Sequence, residues 1–169
     1  SIMGIGSSYT NMLGNGERLT QHLRALGVTR TILYRKHVGS SVEFDFTKGW
    51  MQQMVVGEQP DLVILYSGGT AEDLDELLTE FRSRSTADII LASLHLRERD
   101  EVISPETIDN EQWDTIREVC AKHGVEFVES RREWAAYLKE QGQDIPWLLK
   151  DAVHQSDHGA LVINENIIR

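Results

Sequence analysis

The chain has 169 residues and a formal charge of −10, from 27 acidic and 17 basic side chains, which argues against a protein built mainly to bind nucleic-acid phosphates. Apolar residues make up 40% of the chain and charged residues 26%, which is ordinary globular composition and excludes a disordered protein. No apolar run approaches the roughly 20 residues needed to span a bilayer, and the single cysteine, Cys120, excludes an internal disulfide.

The start of the chain carries no signal-peptide pattern, because it lacks a basic flank and a long apolar stretch. A strand-like segment begins at Ile2 with no lead-in, so we expect a domain excised from a longer chain or a chain trimmed at its start. No repeat, low-complexity stretch or linker divides residues 1–169, so we expect one domain. The sequence assigns neither a cellular compartment nor an oligomeric state.

Short runs rich in Ile, Val and Leu alternate with longer stretches of helical spacing, the pattern of a parallel sheet covered by crossover helices. The runs are almost continuously apolar, as expected for strands buried on both faces. We therefore predict an α/β fold, a three-layer αβα sandwich around a five-stranded parallel sheet. The predicted strands are residues 2–6, 31–35, 62–66, 89–94 and 125–128.

Amphipathic helices are predicted between these strands. Three leucines recur at helical spacing within residues 16–26, and Gly27 ends this helix because glycine readily adopts the left-handed conformation. Residues 111–122 carry a second apolar stripe, which includes Cys120, so we expect an inert buried thiol there. Two further helices are predicted, one around residues 134–138 and one over residues 159–168.

Small and polar residues follow the first four predicted strands. The carboxyl ends of parallel strands meet at one edge of an open sheet, and ligands bind among the loops there. A polar segment, residues 151–159, stands just ahead of the last predicted helix. These loops together contain serine, histidine and aspartate, so a nucleophile, a base and an orienting acid are available.

At these positions the sequence resembles the SGNH hydrolases, the superfamily of GDSL esterases and lipases, over the whole chain. Gly6-Ser7-Ser8 is similar to the first family block, Gly-Asp-Ser, with Ser7 in place of the aspartate. Asp151 and His154 match the Asp-x-x-His of the final block, which is the most specific match in the chain. The resemblance implies the flavodoxin-like SGNH hydrolase fold and makes Ser8 the nucleophile.

The resemblance also implies an oxyanion hole formed by the backbone N–H groups of Ser8 and Gly39. The third family block, Gly-x-Asn-Asp, lacks its asparagine within residues 67–72. Ala71 or Thr70 takes the place of the asparagine, depending on which glycine is aligned with the block. The Thr70 hydroxyl can donate a hydrogen bond. Losing one oxyanion donor costs about 10²–10³ in turnover in a known protease, so this departure puts the rate in question.

The chemistry implied by the resemblance is ester hydrolysis through an acyl-enzyme, with His154 as the base for Ser8 and Asp151 stabilising the imidazolium. His95 and His158 are expected at the rim of the substrate site or behind the catalytic residues. His154 and His158 are four residues apart, but the glutamate of a zinc-binding His-Glu-x-x-His is missing, so no metal is expected. No cofactor motif is complete, and no cofactor is expected.

We therefore predict a serine esterase that acts on small acyl esters, with an acetylated carbohydrate as the leading substrate class. A small-molecule or oligosaccharide ester is the expected partner, and neither nucleic acid nor a membrane span is expected. One alternative is another acyl hydrolase of the same superfamily, a thioesterase or lysophospholipase. The other is a non-catalytic carbohydrate-binding pseudo-enzyme, which the missing asparagine motivates.

Overall fold

The computed structural model describes residues 1–38, 55–100 and 111–169, and within these ranges five parallel strands form one sheet. The strands are β1 (Ile2–Gly6), β2 (Tyr34–Val38), β3 (Leu62–Tyr66), β4 (Asp88–Ala92) and β5 (Glu126–Val128). Their order across the sheet is β2-β1-β3-β4-β5, the flavodoxin-like order in which the winding direction reverses between β1 and β3. The predicted α/β class and parallel sheet are confirmed.

The connecting segments are mostly helical. The described helices are α1 (Ser8–Met12), α2 (Glu17–Ala25), α3 (Ala71–Arg82), α4 (Glu111–His123), α5 (Ser130–Gln141) and α6 (Asp157–Ile168). Short 3₁₀ turns occupy Val56–Glu58 and Ile145–Leu148. Helices α1 and α3 are not among the predicted elements; the other four lie where helical periodicity predicts them, with ends that differ by a few residues.

Two hydrophobic clusters lie on opposite faces of the sheet, because successive strand residues point to opposite sides. Met3 and Ile5 of β1 belong to the cluster that α3 and α4 cover. Ile2 of the same strand belongs to the cluster that α2, α5 and α6 cover. Cys120 lies in the first cluster, fully buried as predicted, and burial raises the pKa of its thiol to about 12.

Strand β2 begins three residues later than predicted. The carbonyl of Leu33 accepts a hydrogen bond from the backbone N–H of Ile2, and the parallel register then runs from Tyr34 to Val38. Within the described residues β2 pairs only with β1, so its polar side chains stay partly exposed. Residues 31–33, where Ile32 and Leu33 led to the strand prediction, lie just before β2 and are not part of it.

The start of α6 is set by a serine. Ser156 accepts a hydrogen bond from the backbone N–H of Gly159 at 3.2 Å and caps the helix. The helix therefore begins at Asp157, two residues before its predicted start. Gly159 is required there, since a Cβ at this position would overlap the carbonyl of Leu148 and the ring of Trp134. The close packing of α6 fixes the segment that leads into it.

Candidate active site

Ser8 and His154 meet at the carboxyl end of the sheet. Ser8 begins α1 directly after β1, beside the point where the strand order reverses. Its Oγ lies 3.0 Å from Nε2 of His154, although the two residues are 146 positions apart in the chain. Nδ1 of His154 lies 3.0 Å from Oδ2 of Asp151. The three side chains form one continuous series of hydrogen bonds.

The turn that presents Ser8 depends on a glycine. Gly6 ends β1 with a φ of 155°, and a Cβ there would overlap the backbone carbonyl of Tyr66 and the hydroxyl of Thr10. Only glycine allows β1 to pass this close to the end of β3. Ser7, which stands where the family usually has aspartate, is fully buried.

The segment around His154 is folded by its neighbouring carboxylate. Oδ1 of Asp151 accepts the backbone N–H of Val153 at 2.9 Å and that of His154 at 2.7 Å. These two backbone bonds, supported by the His154 ring, lower the pKa of Asp151 to about 2. The carboxylate is therefore ionised at ordinary pH and accepts the Nδ1–H, which leaves the lone pair of Nε2 facing the Ser8 hydroxyl.

His95 is buried beneath this arrangement and does not lie at a solvent-facing rim. It is only 1% exposed, its Nε2 lies 2.9 Å from the carbonyl of Val153, and its Nδ1 is hydrogen-bonded to the hydroxyl of Tyr66. Burial lowers the pKa of His95 to about 4, so the ring is neutral, with Nε2–H donating and Nδ1 accepting. This burial does not agree with the expected place of His95 at the rim of the substrate site.

His158 lies in a different aromatic cluster. Its Nε2 is 2.9 Å from the hydroxyl of Tyr137, and its ring meets that of Trp147 edge-on at 4.5 Å. Within the described ranges, no hydrogen bond or ring contact joins His158 to Ser8 or His154. The structure therefore does not bring His158 together with the other expected site residues.

The side chain of Thr70 caps helix α3. Its hydroxyl donates to a carboxylate oxygen of Asp73 at 2.7 Å and accepts the backbone N–H of the same residue at 3.1 Å, at the start of α3. Ala71 is the first residue of that helix and has no side-chain donor. Neither residue supplies a side chain in place of the missing asparagine, and Gly39 lies outside the described residues.

The same fold occurs in solved esterase structures, over nearly the whole length of the chain. A protein described as a GDSL-like lipase, from Parabacteroides merdae, matches with a TM-score of 0.74 and 16% identity, covering 99% of this chain and 93% of that one. The acetyl xylan esterase AlAXEase matches with a TM-score of 0.75 and 17% identity, covering 98% of this chain and 96% of that one. Axe2, an acetylxylan esterase from Geobacillus stearothermophilus, matches with a TM-score of 0.73 and 16% identity, covering 99% of this chain and 92% of that one.

The chain has the SGNH hydrolase fold. At the level of the fold, this confirms the resemblance to GDSL esterases. No protein-family model and no curated protein sequence matches the chain. Within this fold, Ser8 lies at the start of α1, just after the first strand, and Asp151 and His154 lie in the segment before the last helix.

Sequence reasoning missed Gln155, although it adjoins His154. Its side chain is fully buried, and its Nε2 donates to the backbone carbonyl of Tyr9 at 2.9 Å. A lone glutamine matches no motif, and only the fold shows that it reaches the residue beside Ser8. In an SGNH fold this contact joins the two segments that carry the expected nucleophile and base.

The described side chains offer a serine–imidazole–carboxylate series rather than a metal centre. Among residues 1–38, 55–100 and 113–169 no cluster of three histidine, cysteine or acidic side chains is arranged to hold an ion. No helix in the described part of the chain is both long and apolar enough to cross a membrane. The arrangement can pass a proton from a serine hydroxyl to an imidazole that a carboxylate orients.

Proposed function

We propose that this chain is a serine esterase that hydrolyses small acyl esters through Ser8, His154 and Asp151. The observation that carries the proposal is the hydrogen-bonded series, with 3.0 Å from Ser8 to His154 and 3.0 Å from His154 to Asp151. A serine hydroxyl is a weak nucleophile at neutral pH unless a base within hydrogen-bond reach takes its proton. The distance between Ser8 and His154 satisfies that requirement, and the distance between His154 and Asp151 allows the carboxylate to orient the base.

The comparisons support the same chemistry. Axe2 has this fold, and variants of Axe2 in which a serine or a histidine is replaced by alanine are described as catalytic mutants. A serine and a histidine are also the central pair of the site proposed here.

The proposed reaction has two balanced halves. Oγ of Ser8 attacks the ester carbonyl carbon as its proton passes to Nε2 of His154, and the imidazolium then gives that proton to the departing alcohol. This leaves the acyl group on Ser8. A water molecule, deprotonated by His154, attacks the acyl carbon, and the proton returns to Ser8 as the carboxylic acid leaves. Asp151, ionised throughout, stabilises each imidazolium.

Backbone groups are the proposed oxyanion donors. Ser8 is the first residue of α1, so its N–H has no intrahelical carbonyl to bind. We propose that it acts with the N–H of Gly39, which the family resemblance implies, and with the backbone N–H of Ala71. The Thr70 hydroxyl is excluded from this proposal, because it already donates to Asp73.

An acetylated carbohydrate is the proposed substrate class. Two of the solved structures with this fold are named as esterases of acetyl xylan. The formal charge of −10 favours a neutral polyol over an anionic lipid surface. Since a GDSL-like lipase has the same fold, esters with longer acyl chains are the comparison substrates.

A second candidate function is a carbohydrate-binding module without useful turnover. The specific observation in its favour is that Thr70 caps α3 and Ala71 carries no donor, so neither side chain replaces the asparagine of the third block. Losing one such donor lowers turnover by about 10²–10³ in a known protease. The two candidates differ in whether Ser8 is needed for hydrolysis.

The test is hydrolysis of 4-nitrophenyl acetate and of acetylated xylo-oligosaccharides by the wild type, Ser8→Ala and His154→Ala, each checked for folding by circular dichroism. We expect both variants to lose at least about 10³-fold in kcat, the scale seen when such residues are removed. Ser83→Ala, at the end of α3, is the matched control and should keep full activity. A folded wild type that hydrolyses neither substrate would reject the esterase and favour the binding module.

Substrate class is tested on the same wild-type protein. The ratio kcat/KM is compared for acetyl, butyryl and octanoyl 4-nitrophenyl esters, an acyl thioester and a lysophospholipid. We expect kcat/KM to be higher for the acetyl ester than for the octanoyl ester or the lysophospholipid. A preference for the long acyl chains would replace the carbohydrate proposal with a lipase-type substrate.

A further inference from the structure

Buried side chains anchor the chain on both sides of His154. Before it, the carbonyl of Val153 accepts from Nε2 of His95 at 2.9 Å. After it, Gln155 donates to the carbonyl of Tyr9 at 2.9 Å. His154 is thus the middle residue of three, and each of its neighbours is tied to a different element of the fold.

The Gln155 contact spans the two halves of the proposed site. Tyr9 follows Ser8 in α1, and Gln155 follows His154, so this one hydrogen bond runs parallel to the bond between Ser8 and His154. Gln155 is 0% exposed, and its Oε1 has no hydrogen-bond partner in the described ranges. A buried amide with an unsatisfied oxygen lowers stability relative to an apolar side chain of the same size, so core packing does not account for a glutamine here.

The His95 contact comes from the opposite side. His95 follows β4, and its ring packs edge-on against that of Tyr9 at 4.9 Å and at an angle of 44° against that of Trp134 at 4.7 Å. Its Nδ1 is bonded to the Tyr66 hydroxyl, so both ring nitrogens are engaged and the ring orientation is fixed. His95 is therefore a rigid donor to the Val153 carbonyl.

The backbone on both sides of these anchors forms a short hydrogen-bonded loop, residues 148–156. The N–H of Lys150 donates to the carbonyl of His154 at 3.0 Å, and that of Ser156 donates to the carbonyl of Leu148 at 2.9 Å. These bonds close a small antiparallel loop through the bridge between Leu149 and Gln155. They shape the loop internally, whereas the bonds from His95 and Gln155 set its place relative to β4 and α1.

We propose that Gln155 and His95 are positioning residues, which together hold Nε2 of His154 at hydrogen-bond distance from Ser8. This inference rests on the proposed esterase function. It follows from the general rule that reacting groups must be held in near-attack geometry, in which a displacement of about 1 Å can cost about 10²-fold in rate. Gln155 fixes the distance between the loop and α1, and His95 fixes the position of the loop relative to the end of β4.

The test replaces the glutamine donor without changing its size. Gln155→Met keeps the side-chain length but removes the N–H that reaches Tyr9. The matched control is Asn164→Leu, because Asn164 also donates a side-chain amide to a backbone carbonyl of the N-terminal region, that of Leu13 at 3.1 Å, in a contact that does not involve Ser8 or His154. We expect kcat on 4-nitrophenyl acetate to fall at least 10-fold in Gln155→Met with KM unchanged, and to stay within twofold in Asn164→Leu.

A second readout does not depend on turnover. The ¹⁵N chemical shifts of the His154 imidazole report the hydrogen bond between its Nε2 and Ser8, and we expect them to change in Gln155→Met but not in Asn164→Leu. Unchanged shifts in Gln155→Met would overturn the positioning role even if the wild type proves inactive. An inactive wild type with altered shifts in Gln155→Met would instead reject only the esterase proposal, leaving the anchor in place.

The histidine anchor is tested by conservative rescue. His95→Gln places an amide nitrogen near the position of Nε2 and should keep most of kcat, whereas His95→Phe removes the donor and should lower kcat at least 10-fold. Equal kcat in these two variants would overturn the role of His95. If Gln155→Met does not fold, Gln155→Asn takes its place, since its amide is one methylene too short to reach Tyr9 and the same losses are expected.

Discussion

Asp151 holds His154 through both its backbone and its ring. Oδ1 of Asp151 accepts the backbone N–H of His154 at 2.7 Å, while Oδ2 lies 3.0 Å from Nδ1 of the imidazole. The first contact folds the loop, and the second selects the tautomer that faces Ser8. Nδ1 also lies 3.1 Å from Oδ1. A neutral amide can accept the backbone bonds through its oxygen, but it presents an NH₂ group in place of Oδ2 and carries no charge to stabilise the imidazolium.

Asp151→Asn should therefore inactivate the proposed esterase without unfolding the loop. The amide oxygen still accepts the backbone bonds, but the NH₂ group cannot accept the ring proton. We expect kcat to fall by about 10²–10⁴; a protease whose orienting aspartate was changed to asparagine lost about 10⁴. Asp151→Ala should lose a similar amount of kcat and additionally lower Tm. A kcat for Asp151→Asn within threefold of the wild type would mean that the carboxylate only folds the loop.

Burial of His95 predicts a loss of stability in mild acid. Its pKa is about 4 in the folded protein, against the usual histidine value of 6.5. Between these values the unfolded chain binds more protons than the folded one, so the free energy of unfolding falls as the pH falls from about 6.5 to about 4. The neighbouring Arg131, whose guanidinium donates to the carbonyl of His95, opposes protonation as well.

The size of this acid effect is roughly 3 kcal/mol, at about 1.4 kcal/mol for each unit of pKa. It is measured by urea unfolding at pH 7.0, 5.5 and 4.5. His95→Gln cannot titrate, so it should lose less stability than the wild type over the same interval. Identical pH dependence in the two proteins would show that other groups cause the acid sensitivity.

Thr70→Ala separates helix capping from oxyanion stabilisation. Loss of the cap on α3 should lower the free energy of unfolding by about 1 kcal/mol. Because the hydroxyl already donates to Asp73, we expect kcat to stay within twofold of the wild type. A loss of 10²-fold or more at unchanged stability would instead make Thr70 the donor that replaces the missing asparagine.

Gly159→Ala should destabilise the protein through a clash. The new methyl group would overlap the carbonyl of Leu148 and the ring of Trp134, and overpacking of this kind costs about 1–3 kcal/mol. Gly57→Ala is the matched control, since a Cβ there meets nothing within 4 Å. Urea unfolding measures both, and equal stability of the two variants would mean that α6 shifts without cost.

Burial explains which strands were predictable. The bounds of β1 and β3 coincide with their predicted ranges, because both strands lie inside the sheet and are continuous apolar runs with clear ends. Strand β4 also lies inside the sheet, but it begins one residue and ends two residues before its prediction, since the apolar run in the sequence continues to Leu94. Strand β2, which pairs only with β1 in the described residues, is shifted by three residues from its prediction. Its apolar lead-in resembles a strand, while its true strand residues are partly polar.

The α/β class can be predicted from the chain alone, because hydrophobic periodicity is a local property. The short motifs likewise point to Ser8, Asp151 and His154 without any knowledge of the fold. The folded chain was needed to find that Ser8 and His154 lie 3.0 Å apart, that Thr70 caps a helix and that His95 is buried under the site. It also revealed Gln155, which no motif marks, because contacts across 146 positions exist only once the sheet has brought the two ends of the chain together.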